Sequence, residues 1–242
     1  RDRLRSRGLG DVYKRQYLVI PEKAVRQGNI SLIPDELSYE EAALIEPFSC
    51  VFNGQEIAGN KPGDNVLIIG SGPIGIMHAM LARARGAGKV MMNDLSEARL
   101  ADAKKMLPDL ITLTSENLQD KIFAETNNQG VDLCIIAAPA PQAQEASFNY
   151  MAINGRCLFF GGLPKEKEEV RLNTNILHYK QLRVFGCTRA SLMGYRTSAQ
   201  LVASGRIPLQ DLITKRYTID QFDEALENAQ HAIGLKNVIV FK

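Results

Sequence analysis

The sequence predicts an α/β fold with a doubly wound parallel sheet, and two observations carry that prediction. Short apolar segments of strand length alternate with amphipathic segments of helix length through most of the chain. One of these strands runs directly into a glycine-rich turn that opens a helix. Alternation of this kind joins parallel strands through crossover helices and covers both faces of one sheet.

The individual elements follow from the hydrophobic pattern. Helical runs are predicted at 39–45 and 48–57, before the first strand. Strands are predicted at 65–69, 89–93, 110–114, 131–136, 156–161 and 182–186, and the helices between them at 73–85, 96–106, 117–126 and 142–151. Beyond Cys187 the alternation ends, and helices at 193–204 and 219–232 flank a polar turn region before an apolar strand at 237–241. The second of these helices opens with Thr218 and Gln221 at capping-box spacing.

Composition narrows the class of protein. The 242 residues, 45% of them hydrophobic and 23% charged, suit a globular chain with a buried core. The longest apolar runs, such as 66–69 and 131–140, fall far short of the roughly 20 residues that span a bilayer, so no membrane partner is expected. Four cysteines lie 84, 23 and 30 residues apart, which matches neither a metal knuckle nor a disulfide framework. A reducing cytoplasm is the expected location.

The positive charge of the chain belongs to one end. The first sixteen residues hold six basic and two acidic side chains, so the other 226 carry a net charge of −2 although the whole chain carries +2. Nucleic-acid binding is therefore not expected. A basic arm and a solvated tail are two interpretations of 1–16; the one favoured is non-native sequence, because 11–16 resembles the translation of a sequencing adaptor.

The most informative segment is 65–75, in which an apolar strand is followed by G-x-G-x-x-G and a helix. Gly70 permits a tight turn, Gly72 lets the backbone approach a pyrophosphate, and Gly75 lets the helix pack closely on the strand. The helix N-terminus would face the anion. Strand, turn and helix together predict a dinucleotide site of the Rossmann type.

A carboxylate completes the pattern. Asp94 ends the second strand, 19 residues after Gly75, where it would accept hydrogen bonds from an adenosine ribose. Its charge would oppose the 2′-phosphate of NADP, and the adjoining residue is Leu95 rather than an arginine, so NAD is the expected cofactor. Arg99 is either an adenosine contact or a solvated helix residue. Lys236 is either a phosphate contact or a surface lysine.

Further motifs give a family resemblance. The segments Ile45-Glu46-Pro47 and Lys61-Pro62-Gly63-Asp64 flank the helix predicted at 48–57, and Gly161-Gly162-Leu163 and Gly234-Leu235-Lys236 follow later. In this order and spacing, the chain resembles the zinc-dependent medium-chain alcohol and polyol dehydrogenases, in particular their sorbitol dehydrogenase branch. The resemblance implies a Rossmann domain inserted into a GroES-like catalytic domain. It also implies zinc and NAD as cofactors, a small alcohol or polyol as substrate, and a homodimer or homotetramer.

The resemblance divides the chain and assigns its residues. It implies a catalytic-domain segment at 17–47, the Rossmann domain at 48–188 and a return segment to the catalytic domain at 189–242. Glu46 matches the acidic position at the zinc site, as ligand or as partner of zinc-bound water and substrate, and Arg189 matches a substrate-hydroxyl contact. The matched cofactor contacts are Gly70, Gly72, Pro73, Ile74, Gly75, Asp94, Arg99, Gly161, Gly162, Leu163 and Lys236.

Two residues near the predicted zinc site can be interpreted without the family. A residue before proline favours extended backbone, so Glu46 is expected just before a helix that has Pro47 in its first turn. As a lone carboxylate at a helix start, Glu46 would be explained by the helix dipole alone. Cys50, one turn further on, is expected to lie in the core.

Most of the family's zinc ligands have no counterpart here. The early cysteine and the Gly-His-Glu motif are absent, and His78, His178 and His231 have no partners at ligand spacing. The chain is therefore expected to be an N-terminally truncated enzyme that binds NAD weakly or not at all, holds no stable zinc and lacks turnover.

Several other functions remain open at this stage. Within the family these are threonine-type and sugar-phosphate dehydrogenases and a zinc-free quinone reductase. Outside it they are a non-catalytic NAD-binding module and a methyltransferase. The third glycine of the motif and the return segment disfavour the methyltransferase.

Overall fold

The centre of the fold is a six-stranded parallel sheet. The computed structural model describes residues 19–241. Its strands are β1 Asn65–Ile69, β2 Lys89–Asn93, β3 Ile111–Leu113, β4 Val131–Ile136, β5 Met151–Phe159 and β6 Arg183–Gly186. They lie in the order β3-β2-β1-β4-β5-β6, and every neighbouring pair is parallel. The strand order reverses between β1 and β4, which opens a crevice at the carboxyl ends of these two strands.

Helices cover both faces of this sheet, and a second sheet follows it. The helices are α1 Glu22–Arg26, α2 Tyr39–Ala42, α3 Ile45–Ala58, α4 Pro73–Ala84, α5 Glu97–Met106, α6 Leu118–Glu125, α7 Pro141–Ala146, α8 Thr174–Tyr179, α9 Leu192–Ala203 and α10 Phe222–Gln230. The small sheet pairs β7 Ile213–Tyr217 with β8 Lys236–Ile239 in parallel.

Side-chain alternation along β1 divides the core into two layers. Val66 and Ile68 pack in the layer that holds α3, α4 and α9, whereas Leu67 and Ile69 pack in the layer that holds α6. All four are buried because both faces of the sheet are covered. The doubly wound parallel fold is thus confirmed.

A buried ion pair joins the turn before β1 to strand β5. Arg156 on β5 contacts the Asp64 carboxylate at 2.7 Å and donates a second hydrogen bond to the carbonyl of Gly59. The Asp64 carboxylate also accepts the Lys61 N–H at 2.6 Å. Both side chains of the ion pair are buried, so the turn before β1 is fixed by a residue of β5, two strands away in the sheet.

The strand predictions for 65–69, 89–93 and 131–136 are confirmed residue for residue. The prediction of a polar turn between the last two helices is wrong, because it contains β7. Helix α1, near the start of the described residues, and helix α8, before β6, lie in segments for which no helix is predicted. The predicted helix at 142–151 ends early: α7 stops at Ala146, a 3₁₀ turn follows, and β5 begins at Met151.

The expectation for the backbone at Glu46 is also wrong. Helix α3 begins at Ile45, so Glu46 lies inside its first turn rather than before it. Pro47 is tolerated there because the first N–H groups of a helix have no partner within the helix. Buried Leu44 and Ile45 anchor this start in the core, which outweighs the preference of a residue before proline for extended backbone.

No helix within residues 19–241 combines the length and the apolar character needed to cross a membrane. The interpretation of 1–16 as non-native sequence lies outside the described residues.

Candidate functional site

The glycine-rich loop lies at the crevice between β1 and β4. Gly70 follows β1 with φ +110°, donates its N–H to the Asn93 carbonyl at 2.8 Å, and would bring a Cβ within 3.2 Å of the Ala138 backbone. At Gly75 a Cβ would lie 1.8 Å from the Gly70 carbonyl oxygen. Both glycines are therefore required by the packing of the chain itself.

Gly72 differs from its two neighbours in the motif. Its φ of −69° and ψ of 179° suit any residue, and a Cβ added to it would meet no heavy atom within 4 Å. Nothing in the described structure requires glycine at this position. The open space borders the start of α4, where the loop would approach a bound group.

The start of α4 offers backbone donors to that space. Gly72 is the N-cap and no side chain caps the helix. Pro73 is the first helical residue and has no N–H, so Ile74 and Gly75 carry the first N–H groups, which have no partner within the helix. An uncapped 12-residue helix with open space before it is suited to bind an anion such as pyrophosphate.

Asp94 lies immediately after β2 and is held against the loop. Its Oδ2 accepts the N–H of Ser71 at 2.7 Å and the Ser71 hydroxyl at 2.8 Å, while Oδ1 accepts the N–H of Ser96 at 2.9 Å. Burial alone would raise the pKa of Asp94, but these hydrogen bonds and the charge of Arg99 together lower it. Asp94 is thus held as an ionised carboxylate beside the glycine-rich loop.

Arg99 is exposed on α5, one turn after Ser96, and its positive charge helps to lower the pKa of Asp94. It borders a shallow groove between α5 and the return segment, together with Thr214, Gly234 and Leu235. This position is compatible with an adenosine contact, and the role predicted for Arg99 stays a prediction.

The segment after β5 reaches the same crevice. Gly161 donates its N–H to the Ile136 carbonyl at 3.1 Å, and a Cβ at this position would lie 3.4 Å from Ala138. Gly162 is exposed with open space around its Cα, and Leu163 is partly buried. Gly161 therefore lies against the Ala138 backbone that Gly70 also approaches, while the roles predicted for Gly162 and Leu163 stay predictions.

Glu46, Cys50 and Lys236 lie together at the start of α3. The thiol of Cys50 is 3.7 Å from Glu46 Oε1. Burial lowers the pKa of Lys236 from its ordinary value, whereas the nearby charge of Glu46 acts to raise it. Cys50 is partly exposed, so its expected place in the core is wrong.

Cys187 adds a second thiol to this cluster. A Cβ at Gly54 of α3 would come within 3.2 Å of its Sγ. Burial raises the pKa of Cys187, and the proximity of Cys50 raises it further. The cluster therefore brings one carboxylate and two thiols close to one helix start.

These side chains do not form a metal site by themselves. Within residues 19–241, no group of three or more His, Cys, Asp or Glu side chains is arranged to hold a metal ion. A catalytic zinc requires three protein ligands. The residues described here therefore do not fit zinc without ligands from elsewhere.

Arg189 lies in the turn between β6 and α9. Its φ is +60°, and its carbonyl accepts a hydrogen bond from Asn53 Nδ2 of α3 at 3.0 Å. The side chain is exposed. The structure thus ties the backbone of Arg189 to the helix that carries Glu46, while its predicted substrate contact stays a prediction.

Two contacts at this site were missed by the sequence analysis. The first is the double hydrogen bond from Ser71 to Asp94, although Ser71 lies inside the glycine motif, where its small polar side chain was a usable signal. The second is the proximity of Lys236 to Glu46. These two residues are 190 positions apart in the sequence, and only the fold brings them together. Sequence spacing carries no signal for the second contact.

The strand order, the glycine loop and the carboxylate after β2 define a Rossmann-type domain. Residues 73–204 match the family model described as zinc-binding dehydrogenase. The chain is 34% identical over 206 residues to sorbitol dehydrogenase of Bacillus subtilis, covering 85% of this chain and 58% of that protein. It is 32% identical over 214 residues to L-threonine 3-dehydrogenase of Serratia proteamaculans, covering 88% of this chain and 60% of that protein.

A solved structure shows the same fold. It is a short chain alcohol dehydrogenase from Escherichia coli complexed with NADH, with a TM-score of 0.78 and 22% identity over 88% of this chain and 63% of that one. The chain spans less than two thirds of the length of each of these relatives. This chain belongs to the zinc-binding dehydrogenase family.

Proposed function

We propose that this segment binds NAD and that the protein to which it belongs transfers hydride between NAD and a secondary alcohol of a polyol or sugar derivative. The observation that carries the proposal is Gly72. Packing requires Gly70 and Gly75, whereas the open space at Gly72, at the uncapped start of α4, leaves room for a group from outside the chain to approach the backbone.

The charge of Asp94 supports NAD over NADP. Hydrogen bonds from Ser71 and Ser96 hold the carboxylate ionised where the ribose would lie. A 2′-phosphate would place a second negative charge against it, and within residues 19–241 Arg99 is the only cation whose charge acts on Asp94. We propose that Arg99 contacts the adenosine side of the cofactor.

The nicotinamide end would lie toward Gly161, Gly162 and Leu163. NAD, when bound, supplies the hydride acceptor for alcohol oxidation. Gly161 is held against the end of β4 and can present its backbone to the ring. We propose Lys236 as a phosphate contact, because its half-buried ammonium lies near Glu46 at the start of α3.

Zinc is proposed only for a protein of the relatives' length. The family description names a zinc-binding dehydrogenase, but the described residues hold no complete ligand set. We propose that Glu46 is one ligand or a partner of metal-bound water, with the remaining ligands in the part of the relatives that this chain does not match. Arg189 is proposed to bind a substrate hydroxyl.

The domain division is also a proposal. A groove of about 1260 Å³ separates α2 and the preceding loop from α10 and β8, and its walls include Ile33, Leu44, Val238 and Phe241. Within the described residues, β8 pairs with β7 alone. An apolar groove beside an open strand edge supports the assignment of 17–47 and 189–242 to a catalytic domain completed by other residues.

Substrate class, assembly and location rest on the relatives and on a few structural features. The names of the two curated relatives support a polyol, with a threonine-type or sugar-phosphate substrate as the alternative. The exposed edge strand β6 offers a surface for a homodimer or homotetramer. The four cysteines are unpaired thiols, which supports a reducing cytoplasm.

The test titrates the full chain with NAD, NADP, adenosine and S-adenosylmethionine by NMR, which detects millimolar binding. Gly72→Ala adds a methyl group in the path of the pyrophosphate, so it should abolish NAD binding and leave adenosine binding unchanged, while the free energy of unfolding falls by no more than about 1 kcal/mol, as expected for alanine at an N-cap. Asp94→Ala should weaken both NAD and adenosine and reduce the preference for NAD over NADP.

Two results would contradict the proposal. Equal NAD affinity in the parent and in Gly72→Ala would show that no phosphate approaches the loop. Binding of S-adenosylmethionine in preference to NAD would place the chain in another functional class. For substrate class, the protein at its relatives' length should be assayed with sorbitol and L-threonine in the presence of NAD and zinc.

A further inference from the structure

Ser71 makes two hydrogen bonds to one carboxylate oxygen. It is the second residue of the glycine motif and is fully buried. Its N–H and its hydroxyl both donate to Asp94 Oδ2, at 2.7 and 2.8 Å. The phosphate loop and the proposed ribose carboxylate are therefore joined through this one residue.

These bonds determine which acceptor sites of Asp94 remain open. A carboxylate has about four acceptor positions, two on each oxygen. Ser71 fills two on Oδ2, and the Ser96 N–H fills one on Oδ1. The plane of the carboxylate is thus fixed from both sides, with an acceptor position left on Oδ1 for an incoming hydroxyl.

The Ser71 hydroxyl can act in two opposite ways. As a positioning group, it keeps the carboxylate ionised and oriented before the ribose arrives, which lowers the ordering cost of binding. As a competitor, it occupies a position that a ribose hydroxyl needs and must be displaced. The backbone bond from the same residue favours the first, because it holds Oδ2 against the loop whichever way the hydroxyl turns.

We propose that Ser71 is a positioning residue whose hydroxyl fixes the charged Asp94 carboxylate in the orientation that receives the ribose of NAD. The proposal rests on the function proposed above, since it assumes that Asp94 is the ribose acceptor. Ser71 thereby couples the two halves of the site, so that the pyrophosphate loop and the ribose acceptor are arranged together before the cofactor binds.

The test compares Ser71→Ala with a rescue variant and a matched control in the full chain. Ser71→Thr retains a hydroxyl. Ser198→Ala removes another fully buried serine hydroxyl, which donates to the Gly194 carbonyl at 2.8 Å within α9. The first readout is the pKa of Asp94 from its carboxyl ¹³C shift, and the second is NAD affinity as a function of pH.

Ser71→Ala should raise the pKa of Asp94, because one hydrogen bond to the charged form is lost. NAD affinity at neutral pH should fall about two- to tenfold, the size expected when one side chain must be ordered on binding, and the acid limb of the NAD binding profile should move to higher pH with the pKa. Arg99, the charged group within residues 19–241 that acts on Asp94, is unchanged in every variant. Ser71→Thr should restore both readouts, and Ser198→Ala should move neither.

The remaining outcomes separate this proposal from the proposed function. An unchanged Asp94 pKa in Ser71→Ala, or tighter NAD binding, would overturn the positioning role, and tighter binding would identify the hydroxyl as a competitor. If the parent chain does not bind NAD but the pKa still rises in Ser71→Ala, the proposed function fails while the coupling of Ser71 to Asp94 stands. A fall in NAD affinity without a pKa change would also contradict the proposal.

Discussion

A buried histidine should make the stability of this chain depend on pH. His78 lies on α4 and is fully buried, with Nδ1 3.3 Å from Gln55 Nε2 and its ring edge-on to Phe160 at 4.6 Å between centroids. Its Nε2 has no hydrogen-bond partner within the described residues. Burial lowers the pKa of His78 to about 3, because no group nearby stabilises the charged ring.

The sign and size of the effect follow from this shift. Between the ordinary pKa of 6.5 and the lowered value of about 3, the unfolded chain holds a proton that the folded chain does not. Stability is therefore unaffected well above pH 6.5 and falls as the pH decreases, at about 1.4 kcal/mol per pH unit. Since pH 5.0 is about 1.5 units below the ordinary value, His78 should remove about 2 kcal/mol there.

The assay is urea unfolding at pH 7.5 and pH 5.0 for the parent and His78→Asn, in which the amide oxygen can still accept from Gln55. Carboxylates also titrate in this range, so the measured quantity is the difference between the two proteins. The stability loss from pH 7.5 to 5.0 should be about 2 kcal/mol smaller in His78→Asn. His231→Asn, at an exposed position on the C-terminal side of α10, should behave as the parent does. An equal pH dependence in His78→Asn and parent would refute the argument.

Two further predictions concern stability, both measured by urea unfolding. Arg156→Met leaves the Asp64 carboxylate buried without its partner and should cost about 3 to 5 kcal/mol, with part of the loss recovered by the double variant Arg156→Met/Asp64→Asn; additive losses would contradict a coupled pair. Ser38→Ala removes a capping box in which Ser38 Oγ accepts the Glu41 N–H at 3.1 Å. It should cost about 1 kcal/mol, and no change would show that α2 is held by packing alone.

The parts of the fold that could be predicted from sequence are those whose pattern is local. Strands β1, β2 and β4 are buried on both faces, so each is an apolar run with polar or glycine residues at its ends. The glycine motif and Asp94 follow directly after two of these strands. Their meeting at one edge of the sheet was predictable because parallel strands end on the same side.

The errors arose where tertiary contacts outweigh the local pattern. Strand β7 has the sequence Ile-Thr-Lys-Arg-Tyr, with only its two ends buried, and it exists because β8 pairs with it from more than twenty residues away. Glu46 is helical because Leu44 and Ile45 are anchored in the core. Neither contact has a signal within the few residues that a pattern covers.

The capping box predicted at Thr218 shows a case between these extremes. The Thr218 N–H donates to Gln221 Oε1 at 3.1 Å, so the reciprocal half of the motif forms as the spacing predicts. The first turn is nevertheless 3₁₀, and α10 begins only at Phe222. Local chemistry therefore located the helix start, while its exact geometry depended on the packing around it.

The three glycines of the phosphate loop show what structure adds to a motif that sequence already recognises. In the sequence they are the same letter at three positions, and any of them could be a turn. In the structure Gly70 is required by its positive φ, Gly75 by the 1.8 Å approach of the Gly70 carbonyl oxygen, and Gly72 by nothing within the described chain. Gly72 lies at the uncapped start of α4 and close to the Asp94 carboxylate, which is where we propose that a ligand approaches the backbone. The case for a bound dinucleotide therefore rests less on the presence of the motif than on this one unexplained glycine within it.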